Sequence, residues 1–166
     1  MSPIHSFAPV SNADAKILIL GSMPGQKSLD ENQYYAHPQN AFWKIMGNLV
    51  GAHPYLPYDE RLNILRSSHV ALWDVLASCS RKTSLDAHIR QETANDFALF
   101  FAQHPQITQV FFNGGMAEQC FTKFVLNRQD LPPLNFRRLP STSPAYAGMN
   151  FADKLQVWHT AICVFL

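Results

Sequence analysis

Cysteine is scarce in this chain, and the three cysteines among its 166 residues lie far apart. Cys79, Cys120 and Cys163 form no C-x-x-C pair, so their spacing predicts neither a disulfide framework nor a cysteine zinc site. Three thiolates also cannot supply the four ligands of an ordinary iron–sulfur cluster. The seven histidines show no H-E-x-x-H or similar spacing, and we therefore expect no metal centre.

Long apolar runs and an excess of charge are missing as well. No stretch is long and apolar enough to cross a bilayer, and no basic region followed by an apolar run opens the chain. These absences predict a soluble cytoplasmic protein without a membrane partner. The formal net charge is only +1, so the basic bias of many nucleic-acid binders is absent and charge alone does not point to DNA.

The common nucleotide-binding and hydrolase motifs are also absent. The sequence contains neither the dinucleotide fingerprint G-x-G-x-x-G nor a Walker sequence, which makes nucleotide cofactor binding a minor alternative. The nucleophile elbow G-x-S-x-G is missing too, so a small-molecule hydrolase that uses Ser22 as its nucleophile has little support.

What is present is a patterned α/β sequence. With 47% hydrophobic residues, the chain has enough apolar surface for a single domain over residues 1–166. Short apolar runs alternate with segments of helical periodicity, which predicts a three-layer α/β fold with a central, mainly parallel four-stranded sheet flanked by helices. For the third helix, Thr93 or Asn95 is the expected N-cap. The predicted strands are 16–20, 70–73, 109–112 and 136–139, and the predicted helices are 41–50, 59–67, 93–103, 115–126 and one that follows Asn150.

In such a sheet, ligands bind at the carboxyl ends of the strands. The first strand ends in Gly21-Ser22-Met23-Pro24-Gly25, where glycines let the backbone approach a ligand and N–H groups can cradle an anion or the edge of a base. A tight turn between a strand and a helix also requires glycine for steric reasons. The loop alone therefore does not distinguish the two roles.

The polar and aromatic stretch from Tyr34 to Trp43 is longer than a connection to the next helix requires. Within it, His37 can serve as an acid, a base or a phosphate contact near neutral pH. Asn40 stands immediately before the helix, where an N-cap is the structural alternative to a catalytic role.

Polar loops also follow the third and fourth strands. Asn113 is placed to read the edge of a planar ligand, although a turn or a helix cap explains it equally well. After the fourth strand, three hydroxyl side chains lie between two prolines and suit contacts to DNA phosphates, although a plain surface turn has the same composition. The residues of this loop are Ser141, Thr142, Ser143, Pro144, Ala145 and Tyr146.

Four motifs follow one another along the chain: GSMPG at 21–25, HPQNAFW at 37–43, FNG at 112–114 and LPSTSP at 139–144. Together they resemble the uracil-DNA glycosylase superfamily, and the second resembles its hypoxanthine (deoxyinosine) DNA glycosylase branch. The resemblance runs from about residue 16 to the last helix. It implies a central four-stranded sheet, with the first and last motifs facing each other across a pocket that receives a flipped base.

The resemblance also implies roles for single residues. Many relatives carry Asp or Asn where this chain has Met23, and a thioether cannot position the attacking water. The hypoxanthine branch implies that Asn40 does so instead and is the catalytic residue. Leu139 replaces the histidine found in many uracil enzymes, which argues against strong uracil activity.

The implied base pocket and DNA contacts complete this picture. Stacking is expected from Phe42 or Trp43, and Asn113 is expected at the base edge, where it distinguishes a 6-oxo purine from adenine. The hydroxyls of residues 141–143 hold phosphates, and residues 144–146 wedge into the gap in the base stack. The full expected base pocket comprises Gly21, Ser22, Met23, Pro24, Gly25, His37, Phe42, Trp43 and Asn113.

The resulting expectation is a monomeric, monofunctional glycosylase that releases hypoxanthine from DNA. No cofactor is implied, because three cysteines separate the chain from the iron–sulfur branches of the superfamily. No lysine stands at a motif position for a Schiff base, and Lys27 and Lys44 are the nearest in sequence. Two alternatives stay open: a glycosylase for uracil or mismatched thymine, and a DNA- or nucleotide-binding module that has kept the pocket without the chemistry.

Overall fold

A computed structural model of the chain describes residues 3–81 and 89–166. Its strands are β1 (Ile4–His5), β2 (Ile17–Gly21), β3 (Val70–Asp74), β4 (Leu76–Ser80), β5 (Arg90–Ala94), β6 (Gln109–Asn113) and β7 (Asn135–Leu139). Its helices are α1 (Gln26–Glu31), α2 (Phe42–Val50), α3 (Tyr58–Ser67), α4 (Phe97–Gln103), α5 (Gly115–Phe124) and α6 (Phe151–Ile162), and a short 3-10 helix over Cys163–Phe165 follows α6.

In the described part of the chain, four parallel strands form a central sheet in the order β3-β2-β6-β7. Every residue of β2 is buried, since alternate side chains enter two separate cores. Leu18 and Leu20 pack into one core, whereas Ile17 and Ile19 pack into the other. A strand covered on both faces explains the continuous apolar run in the sequence and confirms the expected three-layer fold.

Helices cover both faces of this sheet. The core on one face receives side chains from α2, α3 and α6, and the core on the other face receives them from α4 and α5. The described residues also form a second, antiparallel sheet in the order β1-β4-β5, which the sequence patterns did not predict. Leu76 and Cys79 of β4 pack into the same core as α4 and α5.

The predicted helix over 93–103 is wrong at its N-terminal end. Thr93 lies in β5, where it pairs with Ser78 of β4, so the antiparallel ladder replaces a helical turn there. Asn95 is not the cap either, because its side chain donates to the Asp74 carbonyl. Asp96 caps α4, with a carboxylate oxygen that accepts the Leu99 N–H at 3.0 Å.

Other predicted boundaries agree more closely with the structure. The last helix begins after Asn150, whose side chain accepts the Asp153 N–H at 2.9 Å, as expected of an N-cap. The strand predicted over 136–139 is present as β7, although it is mostly exposed. The short helix α1 was not predicted, since the sequence patterns left residues 26–31 as part of a long connection.

The registers of the parallel strands align their carboxyl ends. Gly21 pairs with Asp74 across β2 and β3, and Asn113 pairs with Leu139 across β6 and β7. Leu20, directly before Gly21, pairs with Phe112. Consequently Asp74, Gly21 and Asn113 lie along one edge of the sheet, where the loops predicted to carry the chemistry begin.

Candidate active site

The carboxyl edge of the central sheet opens into a cavity of about 500 Å³. Except for Phe42 and Trp43, every site residue predicted from the sequence lines this cavity. They are Gly21, Ser22, Met23, Pro24, Gly25, His37, Asn40, Asn113, Ser141, Thr142, Ser143, Pro144, Ala145 and Tyr146. The lining also includes residues that the motifs did not single out: Gln26, Lys27, Ser28, Tyr34, Tyr35 and Asp74.

Gly21 allows two pocket side chains to approach the backbone. A Cβ atom at this position would lie 2.5 Å from Asp74 Oδ1 and 2.9 Å from the Tyr35 hydroxyl oxygen. Both distances are shorter than real Cβ contacts, so any side chain here would displace one of those groups. The pocket therefore requires glycine at this position, because the two side chains approach the backbone closely.

The loop after Gly21 is held mainly by main-chain hydrogen bonds. The N–H groups of Val75 and Leu76 donate to the carbonyls of Gly21 and Ser22, at 2.8 and 3.1 Å. The Arg81 guanidinium donates to the Pro24 carbonyl. These bonds attach the loop to the start of β4 and fix its path along the cavity.

Thr142 joins three segments that are distant in sequence. Its N–H donates to Asn113 Oδ1 at 2.9 Å, and its hydroxyl oxygen accepts from Asn113 Nδ2 at 2.9 Å. Its carbonyl accepts the Ala41 N–H at 3.0 Å, next to Asn40. Only 1% of Thr142 is exposed, so its hydroxyl is part of the scaffold and does not have the surface position of a phosphate contact.

Asn40 lines the cavity and precedes the N-cap position of α2, which Ala41 occupies in place of the expected Asn40. Its Oδ1 accepts the Phe42 N–H at 2.9 Å at the start of α2. The preceding turn is closed by the Asn40 N–H, which donates to the His37 carbonyl at 2.9 Å. The amide is thus fixed by its own loop, and one oxygen lone pair and the two amide hydrogens are available to a ligand or a water molecule.

His37 lies exposed at the rim of the cavity. Its Nδ1 accepts the Gln39 N–H at 3.1 Å, which places the proton of the neutral ring on Nε2. The outer ring nitrogen is therefore a donor in the neutral form, which suits contact with a phosphate or a base oxygen.

Comparison with known proteins identifies the family of the chain. The family model of the uracil DNA glycosylase superfamily matches residues 8–162. The chain belongs to that superfamily. Its parallel four-stranded sheet flanked by helices is the α/β fold of a uracil DNA glycosylase-like protein.

Curated relatives within this superfamily carry a more specific name. The hypoxanthine DNA glycosylase of Methanosarcina barkeri is 38% identical over 111 residues, covering 66% of this chain and 70% of the relative. That of Methanosarcina acetivorans is 36% identical over 114 residues, covering 68% and 72%. A solution NMR structure of a candidate uracil DNA glycosylase from M. acetivorans superposes with a TM-score of 0.80 at 28% identity and covers 99% of both chains. The chain is thus a DNA glycosylase, an enzyme of DNA repair.

In this glycosylase, the expected stacking residues lie behind the cavity. Phe42 and Trp43 are buried in the core of the sheet face covered by α2, and neither lines the cavity. Trp43 is further fixed by its indole N–H, which donates to the Tyr34 carbonyl at 2.8 Å. Tyr35 stands in their place: its ring lines the cavity and stacks on Phe42 at a centroid distance of 4.1 Å.

Tyr35 also has an unusual backbone for a residue with a large side chain. Its φ angle is +54°, in the left-handed region that such residues rarely adopt. With this backbone, the ring stacks on Phe42 and the hydroxyl lies next to Gly21. Sequence reasoning missed Tyr35 because periodicity cannot indicate a single residue with a positive φ angle.

Asp74 is another lining residue that the sequence motifs did not single out. It ends β3 directly beside Gly21, is only 4% exposed and is the only carboxylate in the described part of the cavity lining. Burial, together with the negative charge of Asp74, raises the pKa of Tyr34 well above its usual value. The rule that ligands bind at strand ends could have found Asp74, since it follows Trp73 at the end of a predicted strand.

Asn113 lies at the cavity, as expected, and also takes part in the scaffold around it. It lines the cavity, but its amide oxygen and one amide hydrogen are used by Thr142. These two hydrogen bonds connect the end of β6 with the loop after β7. Both Asn113 and Asp74 therefore line the cavity at the ends of their strands.

Two negative findings apply to residues 3–81 and 89–166. No group of three or more histidine, cysteine, aspartate or glutamate side chains is arranged to hold a metal ion there. No helix in these ranges is long and apolar enough to span a membrane.

Proposed function

We propose that this glycosylase releases hypoxanthine from deoxyinosine in DNA by hydrolysis, as a monofunctional enzyme. The names of the two curated relatives support this substrate. The observation that carries the proposal is the buried carboxylate of Asp74 at the inner end of the cavity, beside Gly21.

A carboxylate at this point distinguishes deaminated bases from their parents. Adenine and cytosine present an unprotonated ring nitrogen beside the exocyclic amine, and its lone pair is repelled by a carboxylate. Deamination turns that nitrogen into an N–H donor, in hypoxanthine as in uracil, and an ionised Asp74 can accept it. The cavity of about 500 Å³ has room for a purine, which favours hypoxanthine as the substrate.

Asn40 is suited to hold the attacking water. An amide does not titrate usefully near pH 7, so Asn40 orients the water and does not deprotonate it. Its Oδ1 is already fixed by the Phe42 N–H, which leaves the amide little freedom to rotate. Met23 lines the same cavity but offers a thioether with no hydrogen to donate, and it cannot replace this role.

Hydrolysis is favoured over a lyase mechanism by the state of the lysine in the lining. Lys27 forms an ion pair with Glu31 at 2.9 Å. The hydrogen bond to Glu31 and its charge raise the pKa of the Lys27 amine, which keeps the amine protonated and non-nucleophilic at neutral pH. The product is then free hypoxanthine and an abasic site.

The loop after β7 is suited to hold the DNA while the base is extruded. Flipping a nucleotide costs a few kcal/mol, and least where the pair is already weakened, as for hypoxanthine opposite thymine. Pro144, Ala145 and Tyr146 are exposed at the apex of the loop, as a wedge must be. Ser141 and Ser143 each accept a backbone N–H of their own turn, at 3.2 Å, so their hydroxyl hydrogens remain for phosphate oxygens.

The test is single-turnover release of free base from duplexes that contain hypoxanthine or uracil. Asn40→Ala should lower hypoxanthine release by about 100-fold, in line with the loss of one preorganised polar group from an active site. Asn40→Ser should show a similar loss while retaining a side-chain acceptor for the Phe42 N–H at the start of α2. Thermal unfolding of each variant separates lost chemistry from a lost fold.

The matched control is Asn48→Ala, which removes an exposed asparagine from the same helix α2. It should leave the rate within about twofold of wild type, as a surface change away from the site. Release of uracil but not hypoxanthine would assign the enzyme to uracil repair. Release of neither base, with tight binding of damaged DNA, would indicate a binding module.

A further inference from the structure

Lys154 of α6 is buried beneath the loop that is expected to contact DNA. Only 5% of the residue is exposed, although lysine is rarely buried without a charged partner. No carboxylate oxygen of the described residues lies within 4 Å of its Nζ. The ammonium has lost water without gaining a counter-ion, and this desolvation lowers the pKa of Lys154.

The ammonium instead contacts the loop itself. Its Nζ donates to the Tyr146 carbonyl at 2.9 Å and to the Ser143 carbonyl at 3.4 Å. It also lies 5.2 Å from the centroid of the Tyr146 ring, within range of a cation–π interaction. The Ser143 carbonyl additionally accepts the Tyr146 N–H at 3.0 Å, so one cation closes the turn over residues 143–146.

A second anchor lies one helical turn further along α6. Trp158 is fully buried, and its indole N–H donates to the Pro140 carbonyl at 2.9 Å. Lys154 and Trp158 are spaced i, i+4 and therefore share one face of the helix. The loop is thus attached to a helix in the core, at its entry by Trp158 and at its apex by Lys154.

We propose that Lys154 is a positioning residue that preorganises the Ser141–Tyr146 loop for DNA. The inference rests on the proposed function, because it takes this loop as the DNA contact. Carbonyl oxygens occupied by Lys154 are turned toward the protein interior, which leaves the apex residues directed outward. DNA then binds a loop that is already ordered, and the entropic cost of ordering it does not weaken binding.

The experiment compares Lys154→Met with Lys154→Arg, using a duplex that contains a tetrahydrofuran abasic-site analogue. Methionine keeps an unbranched apolar side chain as far as Cε but removes the ammonium donors, and we expect about tenfold weaker binding. Arginine keeps the charge and can donate to both carbonyls, so it should bind within about threefold of wild type. Lys123→Met, at an exposed position of α5, removes the same charge elsewhere and should change the affinity by less than about twofold.

Salt dependence separates positioning from a direct phosphate contact. A lysine that neutralises a phosphate lowers the slope of log K against log salt by about one, whereas a buried anchor leaves the slope unchanged. We expect the wild-type slope in Lys154→Met. A slope reduced by one would overturn the proposal, as would wild-type affinity in a folded Lys154→Met variant.

A last measurement tests whether the effect is confined to DNA binding. With saturating enzyme, the rate of base release by Lys154→Met should stay within about threefold of wild type on whichever duplex the wild type cleaves. A loss of rate at unchanged affinity would contradict a positioning role. Because the abasic-site duplex carries no base, this proposal and the hypoxanthine assignment can fail separately.

Discussion

The two loops that face each other across the cavity are held in different ways. The Gly21–Gly25 loop is attached by main-chain bonds to β4 and borders the buried Asp74. The Ser141–Tyr146 loop depends largely on side chains that come from elsewhere, namely Asn113, Lys154 and Trp158. Both loops follow a strand of the central sheet, but the first is fixed by main-chain bonds and the second by side chains that single substitutions can remove.

This difference assigns different sensitivities to the two sides of the pocket. On the sheet side, a larger side chain at Gly21 would clash with its neighbours. A shift of about 1 Å in a catalytic group can lower the rate about 100-fold. On the loop side, we expect the loss of one anchor to weaken DNA binding more than it changes the rate of base release. Substitutions should therefore act mainly on the rate on one side and mainly on affinity on the other.

The largest effect is expected from Gly21→Ala. The new methyl group would press on Asp74 Oδ1 and on the Tyr35 hydroxyl, so both groups must move out of the pocket geometry. We expect single-turnover release to fall by about 100-fold or more, while DNA affinity changes little. Gly148→Ala is the matched control, because a Cβ there meets nothing within 4 Å. Equal activity of both variants would contradict the steric role of Gly21.

The next effect in size is a change of selectivity in Asp74→Asn. An asparagine can turn its amide nitrogen toward adenine N1, which the carboxylate repels. In matched mismatch contexts, the ratio of hypoxanthine to adenine release should fall by about 30-fold, the equivalent of one lost charge-assisted hydrogen bond. If all bases are released more slowly at an unchanged ratio, Asp74 acts on the water or the sugar and not on the base edge.

A smaller effect, on both stability and DNA affinity, is expected at Asn113, which lies between the two loops. Asn113→Ala removes both hydrogen bonds to Thr142, which should lower the free energy of unfolding by about 1–3 kcal/mol. DNA affinity should fall with it, whereas selectivity between bases should not. A double-mutant cycle with Thr142→Val measures the coupling, and additive effects would show that the two side chains act independently.

Much of this structure could be predicted from the sequence, because the local pattern of apolar residues determines which segments become buried parallel strands. Apolar runs such as 16–20 indicated buried parallel strands, and parallel strands bring their carboxyl ends to one edge. That argument placed the Gly21, Asn113 and Ser141 loops around one cavity. It failed at residues 90–94, where pairing with β4 overrides a polar segment that has no clear periodicity.

The roles of single side chains were harder to predict than their neighbourhood. Phe42 fits both a helix stripe and a stacking platform, and only the position of α2 shows that it faces the core. Thr142 lies in a loop whose composition suits phosphate binding, yet its side chain is buried and bonded to Asn113. Asp74 stood outside the motifs and needed the strand register to connect it with Gly21.

The smallest effect is expected at the apex of the loop, in Tyr146→Ala. Tyr146 is 44% exposed, and its ring contacts the same Lys154 ammonium as the loop carbonyls. We therefore expect the ring to contribute to the wedge but not to the stability of the fold. Binding of an abasic-site duplex should weaken by about threefold, as for a peripheral contact residue, with the rate at saturation unchanged. Tyr55→Ala, which removes a tyrosine that is 79% exposed and absent from the cavity lining, should change neither quantity. A large loss of rate in Tyr146→Ala would mean that the apex holds the flipped nucleotide itself. The Ser141–Tyr146 loop would then affect the rate as well as the affinity, contrary to the comparison made above.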